Sequence, residues 1–223
     1  MIKLLGKVPD NITVALSGGP DSMAALSFLN NGKRSINAVY FNHGTTHADK
    51  AENFVRSYCR DNFIPLKVGK IQNSKPANKS KEEHWRDERY TFFTTHTSNN
   101  PIPIIMGHHL DDAVEWWIFS SLHGESKLIP YYNQATNVIR PFLLTSKKEL
   151  IDWLERKNVP YVTDPSNKSD DYMRNYIRNN IVPHASHVNP GLQKVICKKY
   201  NQLLRNNCGE LLGSPNKGAN TSK

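Results

Sequence analysis

Short apolar runs alternate with helical patterns through the first two thirds of the chain, and this limits the available folds more than any other feature. Residues 12–16 (ITVAL), 36–41 (INAVYF), 65–71 (PLKVGKI) and 103–107 (PIIMG) have strand length and are bounded by polar or turn residues. Between them, 22–31, 47–62, 85–97 and 111–123 carry apolar residues at helical spacing, with Phe54, Val55, Tyr58 and Cys59 on one face of the second. The polar stretch at 72–84 reads as a surface loop, and 137–142 (NVIRPF) as a last strand. Ser146 precedes a helical pattern over 146–158 and has Glu149 three residues on, the spacing of a capping box. Strand–helix alternation with strands this apolar predicts an α/β fold, a parallel sheet with helices on both faces. The α/β domain is expected over residues 1–183. A basic helical extension over 184–210 and a disordered tail over 211–223 follow.

In an open parallel sheet, ligands sit beyond the carboxyl ends of the strands. The stretch SGGPDS, Ser17 to Ser22, falls there, after the first strand and before its helix. Gly18 and Gly19 let the backbone approach a ligand, Ser17 and Ser22 add hydroxyls, and the helix starting near Pro20 presents unpaired N–H groups to an anion. No GxxxxGK[ST] or GxGxxG pattern is present, so neither the Walker loop nor the dinucleotide fingerprint applies. Asp21 is out of place in a bare anion nest unless a divalent cation joins it to phosphate, which points to Mg²⁺ with a nucleoside triphosphate. A plain Gly-Gly turn capped by Asp or Ser is the bland alternative.

Composition narrows the partners. The 223 residues carry a formal net charge of +9, and residues 185–223 contribute six Lys/Arg against one Glu, which suits a polyanion such as RNA. No segment approaches the ~20 apolar residues of a membrane span. Nothing in the N-terminal residues reads as a signal peptide, so no membrane partner and a cytoplasmic location are expected. Cys59, Cys197 and Cys208 form no CxxC, which indicates neither a disulfide framework nor a zinc site.

The SGGPDS loop after a first buried strand resembles the signature of the PP-loop ATP pyrophosphatases, whose Rossmann-like fold binds ATP. Four further stretches resemble the tRNA(Ile)-lysidine synthetases within that superfamily. GHHLDDAVEWW (107–117) resembles their HHxDDxxET segment, and KEEHWRDERYTFF (81–93) their ExxxRxxRY element with Glu82, Arg86, Arg89 and Tyr90 in register. VIRPFL (138–143), containing Arg140, resembles RPLL, and residues 164–183, with Arg174 and Arg178, resemble D-x-[ST]-N…RN-x-[IL]-R…P. His43 and Gly44 fall where the family has a His-Gly near the nucleotide. The resemblance spans residues 12 to about 192.

That resemblance implies ATP and Mg²⁺, a tRNA(Ile) substrate with a CAU anticodon, free L-lysine, and a homodimer as one form of assembly. ATP would be held by Ser17, Gly18, Gly19, Pro20, Asp21, Ser22, His43 and Gly44, with Asp21 reaching the metal through the phosphates. Asp21, Arg86, His108, Asp112 and Glu115 are the expected catalytic residues. Arg89, Arg140, Arg174 and Arg178 are expected on RNA or phosphate. The reaction would be adenylation at C2 of the wobble cytidine followed by displacement of AMP by lysine. Two positions depart from the pattern: Trp116 stands where the family has Thr, and His123-Gly124 where it has Arg-Gly. Only ~40 residues follow the catalytic region, where full family members have C-terminal domains. A tRNA thiolase, an amide-forming synthetase on the same loop and an inactive RNA-binding relic are the competing readings.

Overall fold

The computed structural model describes residues 1–99, 101–163 and 173–206. Its centre is a six-stranded sheet in the order β3-β2-β1-β4-β6-β5. The strands are β1 (Asn11–Leu16), β2 (Ser35–Asn42), β3 (Leu66–Lys70), β4 (Ile104–Ile105), β5 (Tyr132–Asn133) and β6 (Val138–Ile139). All pairs are parallel except β5 with β6. The apolar run at 137–142 therefore gives only two residues of ladder before Phe142 turns back to accept from the Thr145 N–H at 2.8 Å.

The intervening helices are α1 (Pro20–Asn31), α2 (Thr46–Asp61), α3 (Lys81–Asn99), α4 (Leu110–Leu122) and α5 (Lys147–Lys157). α3 begins four residues earlier than its apolar pattern, because the Ser80 hydroxyl accepts from the Glu83 N–H at 3.1 Å and caps it. The Ser146–Glu149 capping box of α5 is formed in both directions. After α5 come α6 (Met173–Tyr176), a π-helical turn at Ile177–Ile181, α7 (Val182–Val188) and α8 (Leu192–Asn206).

Strand alternation sorts the core into two layers. Val39, Ile104 and Val138 point to the face covered by α3, where they meet Phe93. Ala38, Tyr40, Ile105 and Ile139 point to the other face and join the larger core with residues of α1, α2, α4 and α5. Ile196 and Tyr200 of α8 are buried in that same core. Helices thus cover both faces, and the two-residue strands β4 and β6 are buried because the sheet is covered above and below, whereas the edge strand β5 is not.

The chain runs from β1 outward to β3, then crosses back so that β4 lies on the other side of β1. This reversal makes a crevice between the carboxyl ends of β1 and β4, the place where open α/β sheets bind ligands. Among the described residues, no helix is long and apolar enough to cross a membrane.

Candidate active site

The loop after β1 is held by its own hydroxyls. Ser22 Oγ donates to the Gly19 carbonyl at 3.0 Å and accepts from the Ser17 N–H at 3.1 Å, and Ser17 Oγ accepts from the Gly19 N–H at 3.2 Å. The two hydroxyls also lie 3.1 Å apart. Gly18 has φ +78°, and a Cβ there would come within 3.0 Å of Val162, whose N–H donates to the Gly18 carbonyl. Both the left-handed backbone and the close neighbour demand glycine. Pro20 opens α1 at the position where its missing N–H costs nothing.

Across the crevice, the loop after β4 presses against the start of α1. Gly107 is the contact: a Cβ on it would lie 2.9 Å from the Asp21 carbonyl oxygen and 3.3 Å from Ser22 Cα. His109 follows and caps α4, its Nδ1 accepting from the Asp112 N–H at 3.4 Å while Asp112 Oδ2 accepts from the His109 N–H at 3.0 Å. Its Nε2 faces Asp21 Oδ1 at 3.4 Å and Asp112 Oδ2 at 3.5 Å. Burial pulls the His109 pKa down, yet Asp112, Asp21 and Asp111 together hold it above the usual value. For Asp112 burial pulls upward, and His109, His108, the His109 N–H and Arg178 outweigh it, so its carboxylate stays ionised. Lys147 Nζ approaches Asp21 from α5 at 3.8 Å.

Glu115, one turn further along α4, is 1% exposed. Oε1 accepts from Arg174 Nε at 2.6 Å, and Oε2 from Arg178 Nε at 2.9 Å. Arg178 also reaches Asp112 at 3.4 Å. The two arginines expected on RNA or phosphate are thus engaged with a buried carboxylate, and one turn of α6 and the π-helix spaces them to grip it together.

The third wall comes from α3 and β6. Arg86 and Arg89 lie over the Tyr90 ring at 4.9 and 5.7 Å, and Arg140 donates to the Tyr90 hydroxyl at 3.0 Å. Burial, then the field of Arg86, Arg140 and Arg174, pulls the Arg89 pKa down, with Tyr90 opposing. Burial alone would raise the Tyr90 pKa, but Arg140, Arg86 and Arg89 bring it below its usual value. His108 is pushed down to about 3, chiefly by burial, and His43 to about 4 by burial and then Arg89. Both imidazoles are neutral at physiological pH. His43 sits between the Phe41 and Trp85 rings, 5.2 and 5.1 Å from their centroids.

Several buried polar atoms around this crevice have no hydrogen-bond partner: His108 Nδ1 on its β4 lip, Arg89 Nε and Arg140 Nε on its α3 side, and His43 Nδ1 at the end of β2. Orphaned donors and acceptors are scarce in proteins, and when they converge on one crevice they mark the place of a polar ligand. The Asp21 carboxylate, with Oδ1 facing His109 Nε2 at 3.4 Å and Oδ2 facing Lys147 Nζ at 3.8 Å, keeps lone pairs that would fit a divalent cation. Among the described residues, no group of three His, Cys, Asp or Glu could hold a metal alone, so phosphate and water would supply the remaining ligands. A cavity of about 690 Å³ between α8 and residues 126–132 is lined by none of the candidate residues.

The structure brings Ser17 to Ser22, His108, Asp112, Glu115, Arg174 and Arg178 to the β1/β4 crevice, with Arg86, Arg89 and Arg140 on its α3 side. His43 and Gly44 lie at the end of β2, next to β1. The 164–172 part of the last resembling element, Cys208 and the 211–223 tail lie outside the described residues. Sequence reading passed over His109, Gly107 and Trp85. The His-His pair did signal a histidine beside the carboxylates, but nothing local tells which of the two caps the helix.

Comparison with known proteins places these features in a family context. The family model described as the PP-loop domain matches residues 2–185. The chain is 34% identical over 190 residues to the tRNA(Ile)-lysidine synthase of Staphylococcus aureus strain COL, covering 79% of this chain and 44% of that protein. The Pseudothermotoga lettingae tRNA(Ile)-lysidine synthase is 32% identical over 214 residues, 90% of this chain and 48% of that one. The chain therefore spans less than half the length of these relatives. The U34-tRNA thiolase NcsA of Methanococcus maripaludis superposes with a TM-score of 0.70 over 90% of this chain and 74% of that one, at 18% identity. The NH3-dependent NAD synthetase of Campylobacter jejuni does so with a TM-score of 0.50 over 94% and 90%, at 13% identity. These two likenesses concern the fold alone.

Proposed function

The chain belongs to the PP-loop domain family, and from that premise we propose that it is an ATP-dependent tRNA-modifying ligase that forms lysidine. The substrate is the wobble cytidine of tRNA(Ile) with the CAU anticodon. Cytidine O2 attacks the α-phosphorus of ATP, the α–β phosphoanhydride breaks, and pyrophosphate leaves. The lysine ε-amine then attacks C2, the C2–O bond breaks, and AMP leaves as lysidine forms.

The observation that carries this reading is a crevice whose two lips are the Ser17–Ser22 loop and the His108–Glu115 segment, with the unpartnered His108 Nδ1 on one lip and the unpartnered Arg89 and Arg140 Nε atoms on the α3 side. The loop N–H groups and the start of α1 suit the pyrophosphate end of ATP. Mg²⁺ bound with the phosphates and Asp21 would neutralise charge on the leaving pyrophosphate. Arg89 and Arg140, whose Nε atoms are unpartnered, would supply positive charge toward the α-phosphate from the α3 side, with Arg140 anchored by the Pro130 carbonyl and the Tyr90 hydroxyl.

For the second step, an ammonium must lose a proton before it can attack. Neutral His108 offers a hydrogen-bonding partner for substrate, but a group with a pKa near 3 is a weak base at neutral pH. Asp112 is ionised and orients the ammonium, and His109 beside it, whose pKa is held above its ordinary value, is the stronger base of the pair and takes the proton in its neutral form. Both Glu115 oxygens are held by arginines, which makes Glu115 a positioning residue that fixes Arg174 and Arg178 beside Asp112.

The test is AMP formation by purified protein with Mg²⁺, lysine and a tRNA(Ile) transcript bearing CAU. AMP that requires both tRNA and lysine supports the reading, and Asp21→Ala should lower the rate at least about 100-fold, as loss of a transition-state contact does. Lysine-independent AMP would point to another nucleophile, with sulfur transfer the next assay. No AMP with any tRNA would favour an inactive relic.

A further inference from the structure

The outer face of α4 carries a row of rings that the reaction chemistry does not use. Asp112, Trp116, Phe119 and His123 stand at spacings of four, three and four residues, so they form one stripe along the helix. The Trp116 and Phe119 rings stack with centroids 5.5 Å apart and 22° between planes, and Phe119 lies 4.3 Å from the His123 ring. His123 is locked by its Nδ1 contact with the Phe119 carbonyl at 2.8 Å. Trp116 and Phe119 are half-buried, His123 is exposed, and neighbouring Leu122 is 64% exposed. Trp116 and Phe119 pack one side against the main core and leave the other side partly open to the surface.

Charge says what covers the stripe. From Trp116 to Gly124, between Glu115 and Glu125, the chain has no acidic residue, and residues 173–206, which pack against α4, carry no Asp or Glu and, besides the Arg174 and Arg178 held by Glu115, have Lys194, Lys198, Lys199 and Arg205. A polyanion with flat, apolar faces matches this surface: a single-stranded segment of RNA. The stripe runs ~16 Å at the helical rise of 1.5 Å per residue, and its inner end is Asp112, at the reaction crevice.

We propose that Trp116, Phe119 and His123 form a stacking platform for unpaired nucleobases, which guides the RNA strand along α4 so that the base next to it enters the crevice at Asp112. The proposal rests on the RNA-modifying reading above and adds the surface that holds the loop. Every base has a π-face, so the platform recognises unpaired loop nucleotides by stacking without reading their sequence.

The experiment measures binding of a labelled CAU anticodon stem-loop RNA, and of a fully paired duplex of the same length, by fluorescence anisotropy. Wild type is expected to prefer the stem-loop. Trp116→Leu and Phe119→Leu, which keep an apolar side chain but remove the ring, should each weaken stem-loop binding roughly 5- to 100-fold. Trp116→Phe, which keeps a ring, should retain most of it. The slope of log affinity against log salt should be unchanged, because no phosphate contact is lost. ATP affinity measured separately should also be unchanged. If a leucine variant does not fold, His123→Ala at the exposed end carries the same expectation. Equal stem-loop affinity in wild type and folded leucine variants overturns the platform. So does wild type that binds ATP but no RNA, or a Trp116→Leu effect confined to self-association in sedimentation. Failure of the lysidine reading is distinct: ring-dependent stem-loop binding would persist while lysine-dependent AMP formation is absent.

Discussion

Gly107 carries no chemistry, yet its missing Cβ sets how closely the two lips of the crevice approach. A methyl group there meets the Asp21 carbonyl at 2.9 Å and Ser22 Cα at 3.3 Å, both backbone atoms that cannot swing aside. Gly107→Ala is therefore expected to push α1 away from the β4 loop, lowering stability by about 1–3 kcal/mol, the usual range for overpacking. ATP affinity should fall alongside, because the displaced Asp21 is the carboxylate proposed to meet Mg²⁺ and the ATP phosphates. Urea unfolding and ATP titration check the two parts. At this scale the loop SGGPDS and the carboxylates Asp112 and Glu115 were legible in the sequence, since their meaning lies in adjacent residues. Gly107 and His109 were not, because each acts on a partner that approaches from another element.

Among the elements, α4 is the one whose buried polar face needs support from elsewhere. Glu115 sits in a helix interior with almost no water contact, and among the described residues Arg174 and Arg178 neutralise it. The four-residue spacing of the arginines was visible in the sequence and suits one phosphate-rich or carboxylate-rich surface. Their pairing with Glu115 was not, because 59 and 63 residues separate the partners. Glu115→Gln removes the negative charge and leaves two guanidiniums facing a neutral amide. Breaking a buried pair typically costs about 3–5 kcal/mol, and because both arginines are 39% exposed the loss expected here is about 2–3 kcal/mol. The urea midpoint should drop accordingly, and lysine-dependent AMP formation should fall more than pyrophosphate exchange, since the arginines beside Asp112 lose their anchor.

For the whole molecule, acid is the condition that tests how the site is built. His43 has a folded pKa of about 4, below the ordinary 6.5, because burial and Arg89 disfavour its cation. The unfolded chain therefore binds more protons between these values, and stability present above pH 6.5 is lost as pH falls toward 4. Asp112, held below the ordinary carboxylate range, loses its contribution further down in the same direction. His109 acts oppositely, its raised pKa stabilising the fold at low pH and fading as pH rises through the folded value. The expected net result is a urea midpoint that declines from pH 6.5 to pH 4, with a shallower decline in His43→Phe. A slope unchanged in that variant would contradict the burial of His43 between Phe41 and Trp85.

By itself the sequence determined the class of fold, because period and apolarity are local properties: alternating strands and helices with buried strands admit little besides a covered parallel sheet. It also determined membership of the PP-loop family, because six consecutive residues of the first loop carry the signature. The tertiary structure alone decided the strand order, which puts β4 beside β1 and opens the crevice there. It also decided the antiparallel edge of β5, the partners of Glu115, and which of two adjacent histidines caps α4 and which stands neutral in the crevice. Those outcomes depend on groups distant in the chain meeting in a low-dielectric interior, where burial and neighbouring charge fix protonation and pairing.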